Sequence, residues 1–179
     1  MKRVVFLIFG LLTCLALPTS LEAKPKRYLK KETAANMIGM QKVFVGWVDL
    51  EPDDWALHGY RGKQEWEEGV NTLNRALLRL CQTMYLKGRT VAGAENKNDT
   101  NTAVHDLYVR FSDVRVDHNR YSLYLSIQFL DAKTNAVLGT LPMRPYYGNA
   151  WGFIPYLRAA MEEVALKLEV EITGQRTKK

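Results

Sequence analysis

The chain has 179 residues, of which 25 are Lys or Arg and 19 are Asp or Glu, for a formal charge of +6 at pH 7. Its two cysteines and three histidines are too few and too scattered for a disulfide framework or a local metal motif. The basic excess is mild and sits partly in terminal clusters at 24–27 and 176–179, with no basic stripe of the kind that nucleic-acid binding requires.

In chain order, Lys2 and Arg3 precede an apolar run over residues 4–17, and Leu21, Glu22 and Ala23 follow a short polar stretch. A positive start, an apolar stretch and a small residue after it form the pattern of a cleavable secretory signal, so residues 1–23 are expected to leave after Ala23. The run is shorter than the roughly 20 apolar residues that span a bilayer, which predicts no transmembrane span after cleavage. Thr13 before Cys14 and more apolar residues after it make a poor site for lipid anchoring. The expected location is extracytoplasmic, either periplasmic or secreted. The mature chain keeps 156 residues and a charge of +5, because Lys2, Arg3 and Glu22 depart with the signal. That length is normal for one domain and buries a sizeable core without a metal or disulfide.

Residues 24–41 read as a lead segment with a short helix within 28–40. Residues 42–49 are apolar on both faces and rich in β-branched and aromatic side chains, as in an interior strand. A loop with Pro52, Gly59 and Gly62 precedes the clearest helix, in which Trp66, Val70, Leu73, Leu77, Leu80 and Met84 recur three and four apart. Glu65, Glu67 and Glu68 enrich its first turn, and Lys87 and Gly88 close it. Cys81 falls beside this stripe, which predicts a buried, inert thiol.

A strand over 89–95 and a polar loop over 96–102 follow. Leu107, Val109 and Phe111 then alternate with Tyr108, Arg110 and Ser112, and Leu123, Leu125, Ile127 and Phe129 with Ser122, Tyr124, Ser126 and Gln128. Such alternation means one buried and one wet face, as in an antiparallel pair. A third strand over 137–141 ends near Pro142 and Pro145, which mark an edge. Ile154, Leu157, Met161, Val164 and Leu168 line the last helix. The order β-α-β-β-β-α over residues 42–173, with a basic tail at 174–179, predicts an α+β two-layer sandwich. Its sheet would be mainly antiparallel, with about four to five strands and two long helices on one face.

The stretch 121–138, with its Asp131, Thr134, Asn135 and Leu138 turn, resembles a hairpin of small α+β domains in bacterial envelope lipoproteins and periplasmic accessory proteins. The curli-secretion lipoprotein and the N-terminal domain of the TolB translocation protein have a similar outline. The resemblance implies a non-enzymatic role in the envelope, exercised by binding, and carries over no catalytic residue. Asn135 stands where that pattern has Gly, and both accept a left-handed turn.

Among the candidates for chemistry, His58 lies near Asp53, Asp54 and Trp55, an arrangement that serves acid–base work only if folding makes it converge. No nucleophile elbow, phosphate loop or dinucleotide fingerprint occurs, so no catalytic residue, metal or cofactor is expected. The aromatics Trp47, Trp55, Tyr60, Tyr146, Tyr147 and Trp151 lie in or beside irregular segments, with Arg144 among them. Rings in loops suit partner anchoring or stacking on a sugar. The binding candidates are therefore Trp55, His58, Tyr60, Arg144, Tyr146, Tyr147 and Trp151. The expected function is an envelope accessory protein acting by protein–protein contact, and the alternative is a small-ligand or glycan module built on residues 144–151.

Overall fold

The computed structural model describes residues 28–50, 61–100, 102–117, 122–144 and 153–175. Within them the order is helix α1 (Lys31–Ile38), strand β1 (Lys42–Val45), helix α2 (Lys63–Leu80), strand β2 (Thr90–Gly93), strands β3 (Leu107–Asp117), β4 (Ser122–Asp131) and β5 (Val137–Met143), and helix α3 (Phe153–Thr173). The expected signal at 1–23 lies outside the described residues.

The sheet runs β2-β1-β3-β4-β5. β3 with β4 and β4 with β5 are antiparallel, as their alternation requires. β1 is parallel to both β2 and β3, so the sheet is mixed and the expected mainly antiparallel arrangement is corrected in this half. The cause is connectivity: α2 returns the chain to the end where β1 began, and a strand reached by such a crossover runs parallel to its neighbour. β1 and β2, at four residues each, are also too short to display a period. The short helix expected within 28–40 is α1, and the helix count of the layer is corrected from two to three because α1 joins the two long helices on the same face.

The second crossover, from β2 to β3, has no helix among its described residues. The described residues of this connection, 94–100 and 102–106, carry the chain from β2 past β1 to β3. The loop covers a small apolar cluster of Phe44, Tyr108, Leu130 and Ala132. His105 in the loop packs against Phe44 with ring centroids 5.2 Å apart, and Thr102 donates to the Ala132 carbonyl at 3.4 Å. Satellite clusters of this kind form beneath long loops. The loop's last turn is tied down by Asp106, whose carboxylate accepts the backbone N–H groups of Gln41 at 3.1 Å and Lys42 at 3.0 Å.

The main core lies on the other face. Val43, Val45, Leu107, Val109, Phe111, Leu123, Leu125, Ile127, Phe129, Leu141 and Met143 point from the sheet into it. They meet Trp66, Val70, Leu73 and Leu77 of α2, Met37 of α1, and Leu157, Met161, Val164 and Leu168 of α3. All three helices thus cover one face, as a two-layer fold requires. The chain ahead of β1 belongs to this core: Ala34 and Met37 are fully buried, and Glu171 of α3 accepts the backbone N–H of Tyr28 at 2.9 Å.

The stripe of α2 departs from expectation at its end. Leu77 is followed inward by Cys81 and Tyr85, while Met84 is exposed. Residues Cys81–Tyr85 form a π turn, with Leu86 N donating to the Cys81 carbonyl at 2.9 Å. The wider turn rotates the helix face by part of a residue, which brings Tyr85 inward in place of Met84. The Tyr85 hydroxyl then reaches Glu162 of α3 at 3.2 Å. Cys81 is fully buried and free, and burial pushes its thiol up to about 12, so it stays protonated and unreactive at neutral pH.

At the amino end of the sheet the carboxyl ends of α1 and α3 converge on Arg89. Its guanidinium donates to the Ile38 carbonyl at 3.0 Å and the Ile172 carbonyl at 3.4 Å, a favourable place for a cation at two helix C-termini. Burial lowers the pKa of Arg89 from its ordinary value.

Candidate functional site

Among the described residues, two surfaces combine aromatic and polar side chains outside the core: the outer face of β3–β5, and a cleft at the carboxyl ends of β1 and β2. Among the described residues, no helix packs on the first.

The outer face is organised by the β3–β4 register. Arg110 stands opposite Gln128 and Ser112 opposite Ser126. A bulge between Ser112 and Arg115 then resets the alternation, with Asp113 at φ 55° as the residue that absorbs the turn. Without the bulge, Arg115 would point into the core and Val114 and Val116 into water. With it, both valines pack on the core and Arg115 stands on the outer face opposite Tyr124.

This arrangement fixes the side chains. The Arg110 Nε donates to Gln128 Oε1 at 2.8 Å. The Arg115 and Arg144 guanidinium carbons lie 5.7 Å and 4.7 Å from the Tyr124 ring centroid, within reach of cation–π attraction. Arg144 arrives there because Met143 pairs with Leu125, so the residue after β5 falls beside Tyr124. Among the described residues, none of these three arginines sits in an ion pair, whereas Lys63 and Glu67 form one on α2 at 3.8 Å. The nearby Asp113 carboxylate accepts the Ser112 hydroxyl at 3.1 Å.

The cleft is built from the chain that leaves β1. Gly46 N donates to the Val109 carbonyl at 2.7 Å, an approach that leaves no room for a side chain, since a Cβ at Gly46 would stand 2.8 Å from that oxygen. Residues 46–50 then cross to α2, where two side chains hold them. The buried Asn74 amide accepts Val48 N at 2.8 Å and donates to the Val48 carbonyl at 3.0 Å, as a neighbouring strand would. The Trp66 indole N–H donates to the Leu50 carbonyl at 2.8 Å. Between this segment, the first turns of α2 and the chain after β2 lies a cleft of about 410 Å³, lined by Trp47, Asp49, Leu50, Lys63, Trp66, Glu67, Val70, Asn71, Asn96 and Lys97.

Of the binding residues expected from sequence, Arg144 lies on the outer face, beside Tyr124. Trp55, His58, Tyr60, Tyr146, Tyr147 and Trp151 lie outside the described residues, as do Asp53 and Asp54. Tyr124 and Arg115 were not singled out as binding residues. The signal for Arg115 was the change of phase at Val114 and Val116, which strict alternation passes over. Among the described residues, no group of three His, Cys, Asp or Glu side chains is placed to hold a metal, and no helix is long and apolar enough to cross a membrane. A scan of the chain against protein-family models finds no matching family, and a search of curated proteins finds no matching relative.

Proposed function

We propose that this chain is a non-enzymatic binding protein of the bacterial cell envelope, exported by residues 1–23, whose outer sheet face engages an acidic surface of another envelope protein. One observation carries the reading: Tyr124 held between Arg115 and Arg144 on a paired sheet. Tyr and Arg are the side chains that most often anchor protein interfaces, because each contributes a large contact area with a polar edge. Cation–π contact with the ring and the bond to Gln128 already restrain the guanidinium groups, which lowers the ordering cost of association. Three arginines outside any ion pair favour a partner that supplies carboxylates and speed its approach.

The test places a photo-crosslinking amino acid at Thr140, an exposed position opposite Gln128, in intact cells of the source organism. A second crosslinker at exposed Arg75 on α2 is the reference. The expected result is one envelope protein captured from Thr140 and not from Arg75, with capture abolished by Arg115→Glu combined with Arg144→Glu. No adduct from Thr140, or an adduct indifferent to both charge reversals, would overturn the reading.

A further inference from the structure

We infer that the cleft at the carboxyl ends of β1 and β2 is a second, independent binding site, and that its ligand is an uncharged saccharide. In sheets with parallel strands, ligands settle in crevices outside the carboxyl ends of the strands. Here the β1-α2-β2 unit supplies such a place, and the cleft of about 410 Å³ lies on it. That volume falls in the lower part of the range of about 300–1,000 Å³ typical of small-ligand sites.

The lining specifies the ligand class. Leu50, Val70 and Trp66 are buried and form an apolar floor, while Trp47 is half-buried and offers part of its ring. The rim is polar yet balanced in charge. Lys63 pairs with Glu67 at 3.8 Å, and Asp49 and Lys97 are each already engaged. Among the described lining residues, no surplus cation waits for a phosphate or carboxylate, and no surplus acid waits for an amine. What remains for a ligand among the described lining residues is the Asn71 amide and the Asn96 amide nitrogen, the Asn96 oxygen being taken by Asn98 N at 3.0 Å. Amides bond hydroxyls as donors and acceptors without demanding charge. A sugar ring matches both requirements, because its C–H face lies against an indole and its hydroxyl edge meets the amides.

The wall that carries Trp47 is pre-formed. Asn74 holds both backbone groups of Val48, Trp66 holds the Leu50 carbonyl, and Gly46 is fastened to Val109. The ring is therefore presented by a segment ordered before any ligand arrives, which reduces the ordering cost of binding.

Saturation-transfer NMR on the purified protein tests this with maltotriose, cellotriose and chitotriose at millimolar concentration, and glucose 6-phosphate as the charged comparison. At least one neutral trisaccharide is expected to receive saturation, and glucose 6-phosphate to bind more weakly than that trisaccharide. Trp47→Ala should weaken binding about tenfold, the usual worth of one stacked ring. Because Trp47→Ala could disturb the segment itself, Asn71→Ala and Asn96→Ala, both at exposed positions, provide a second arm with the same expected direction. Tyr124→Ala on the outer face should leave saccharide binding unchanged. No saturation of any of the three saccharides, stronger binding of the phosphate, or binding indifferent to both Trp47→Ala and the asparagine variants would overturn the inference. The crosslinking at Thr140 reads a different surface, so the two proposals fail separately.

Discussion

The two halves of the sheet are held by different means. In the antiparallel half, β3–β5, neighbours in space are neighbours in sequence, and the joints are local. Asp131 accepts the N–H of Thr134 at 2.8 Å and of Lys133 at 3.0 Å, and Asn135 at φ 56° completes the turn into β5. In the parallel half, β1 and β2 are short, and their joints come from far along the chain. Asp106 reaches back to Gln41 and Lys42, Asn74 stands in as a strand for Val48, and Gly46 leans on Val109. Turn chemistry suffices where strands follow one another; a strand placed by crossover needs polar clamps from other elements.

The largest expected effect tests whether the halves share one core. Phe129 is fully buried beneath the helices, and Phe129→Ala should destabilise the whole fold by about 3–5 kcal/mol, read by urea unfolding. Amides of β1 and of β4 should lose protection from hydrogen exchange together. If only β4 did, the halves would be separate units and the comparison would need restating.

Next in size, Asn74→Leu keeps the volume but strands both backbone groups of Val48 in the core, at a cost of about 2–4 kcal/mol. Its signature is local: Val48 should exchange faster while the β3–β4 ladder keeps its protection. Gly46→Ala comes third. A Cβ 2.8 Å from the Val109 oxygen must push β1 away from β3, for about 1–3 kcal/mol. Loss of protection should centre on Gly46 and Val45, and an unchanged unfolding midpoint would show that the joint yields freely.

The smallest effect compares the two aspartates. Asp106 is held below the ordinary carboxylate range chiefly by the Lys42 N–H, and Asp131 chiefly by the Thr134 N–H. A carboxyl depressed in the folded state stabilises the fold above the ordinary carboxylate pKa of about 3.9, and that contribution is lost as pH falls through the folded value. Both Asp106→Asn and Asp131→Asn should therefore flatten the acid limb of the stability profile. Below about pH 4, NMR should show the Gln41 and Lys42 amides shifting with Asp106 and the Lys133 and Thr134 amides with Asp131. If the two groups of amides moved together, the long-range and local joints would be one cooperative element.

Much of the fold was legible because its signals are local. The stripe through Trp66, Val70, Leu73 and Leu77 marks α2, and the alternation through Leu123, Leu125, Ile127 and Phe129 marks β4; both side-chain sets enter the core. Pro142 marked β5 as an edge strand, and it is one. The outer-face site was only partly legible. Arg144 stood out for its aromatic neighbours in sequence, yet its ring partner is Tyr124, which the β4–β5 register delivers and adjacency does not.

By itself the sequence determined which segments are helix and strand, which face of each is apolar, and where the chain turns, because these depend on periods of two and 3.6 residues and on turn residues a few positions apart. Only the tertiary structure decided the parallel placement of β1, the π turn that exchanges Met84 for Tyr85, and the bulge at Asp113 that brings Arg115 to Tyr124. The first follows from the crossover through α2, and the other two are small backbone adjustments whose local cost is offset by burial against elements distant in the chain; none of these has a period to read.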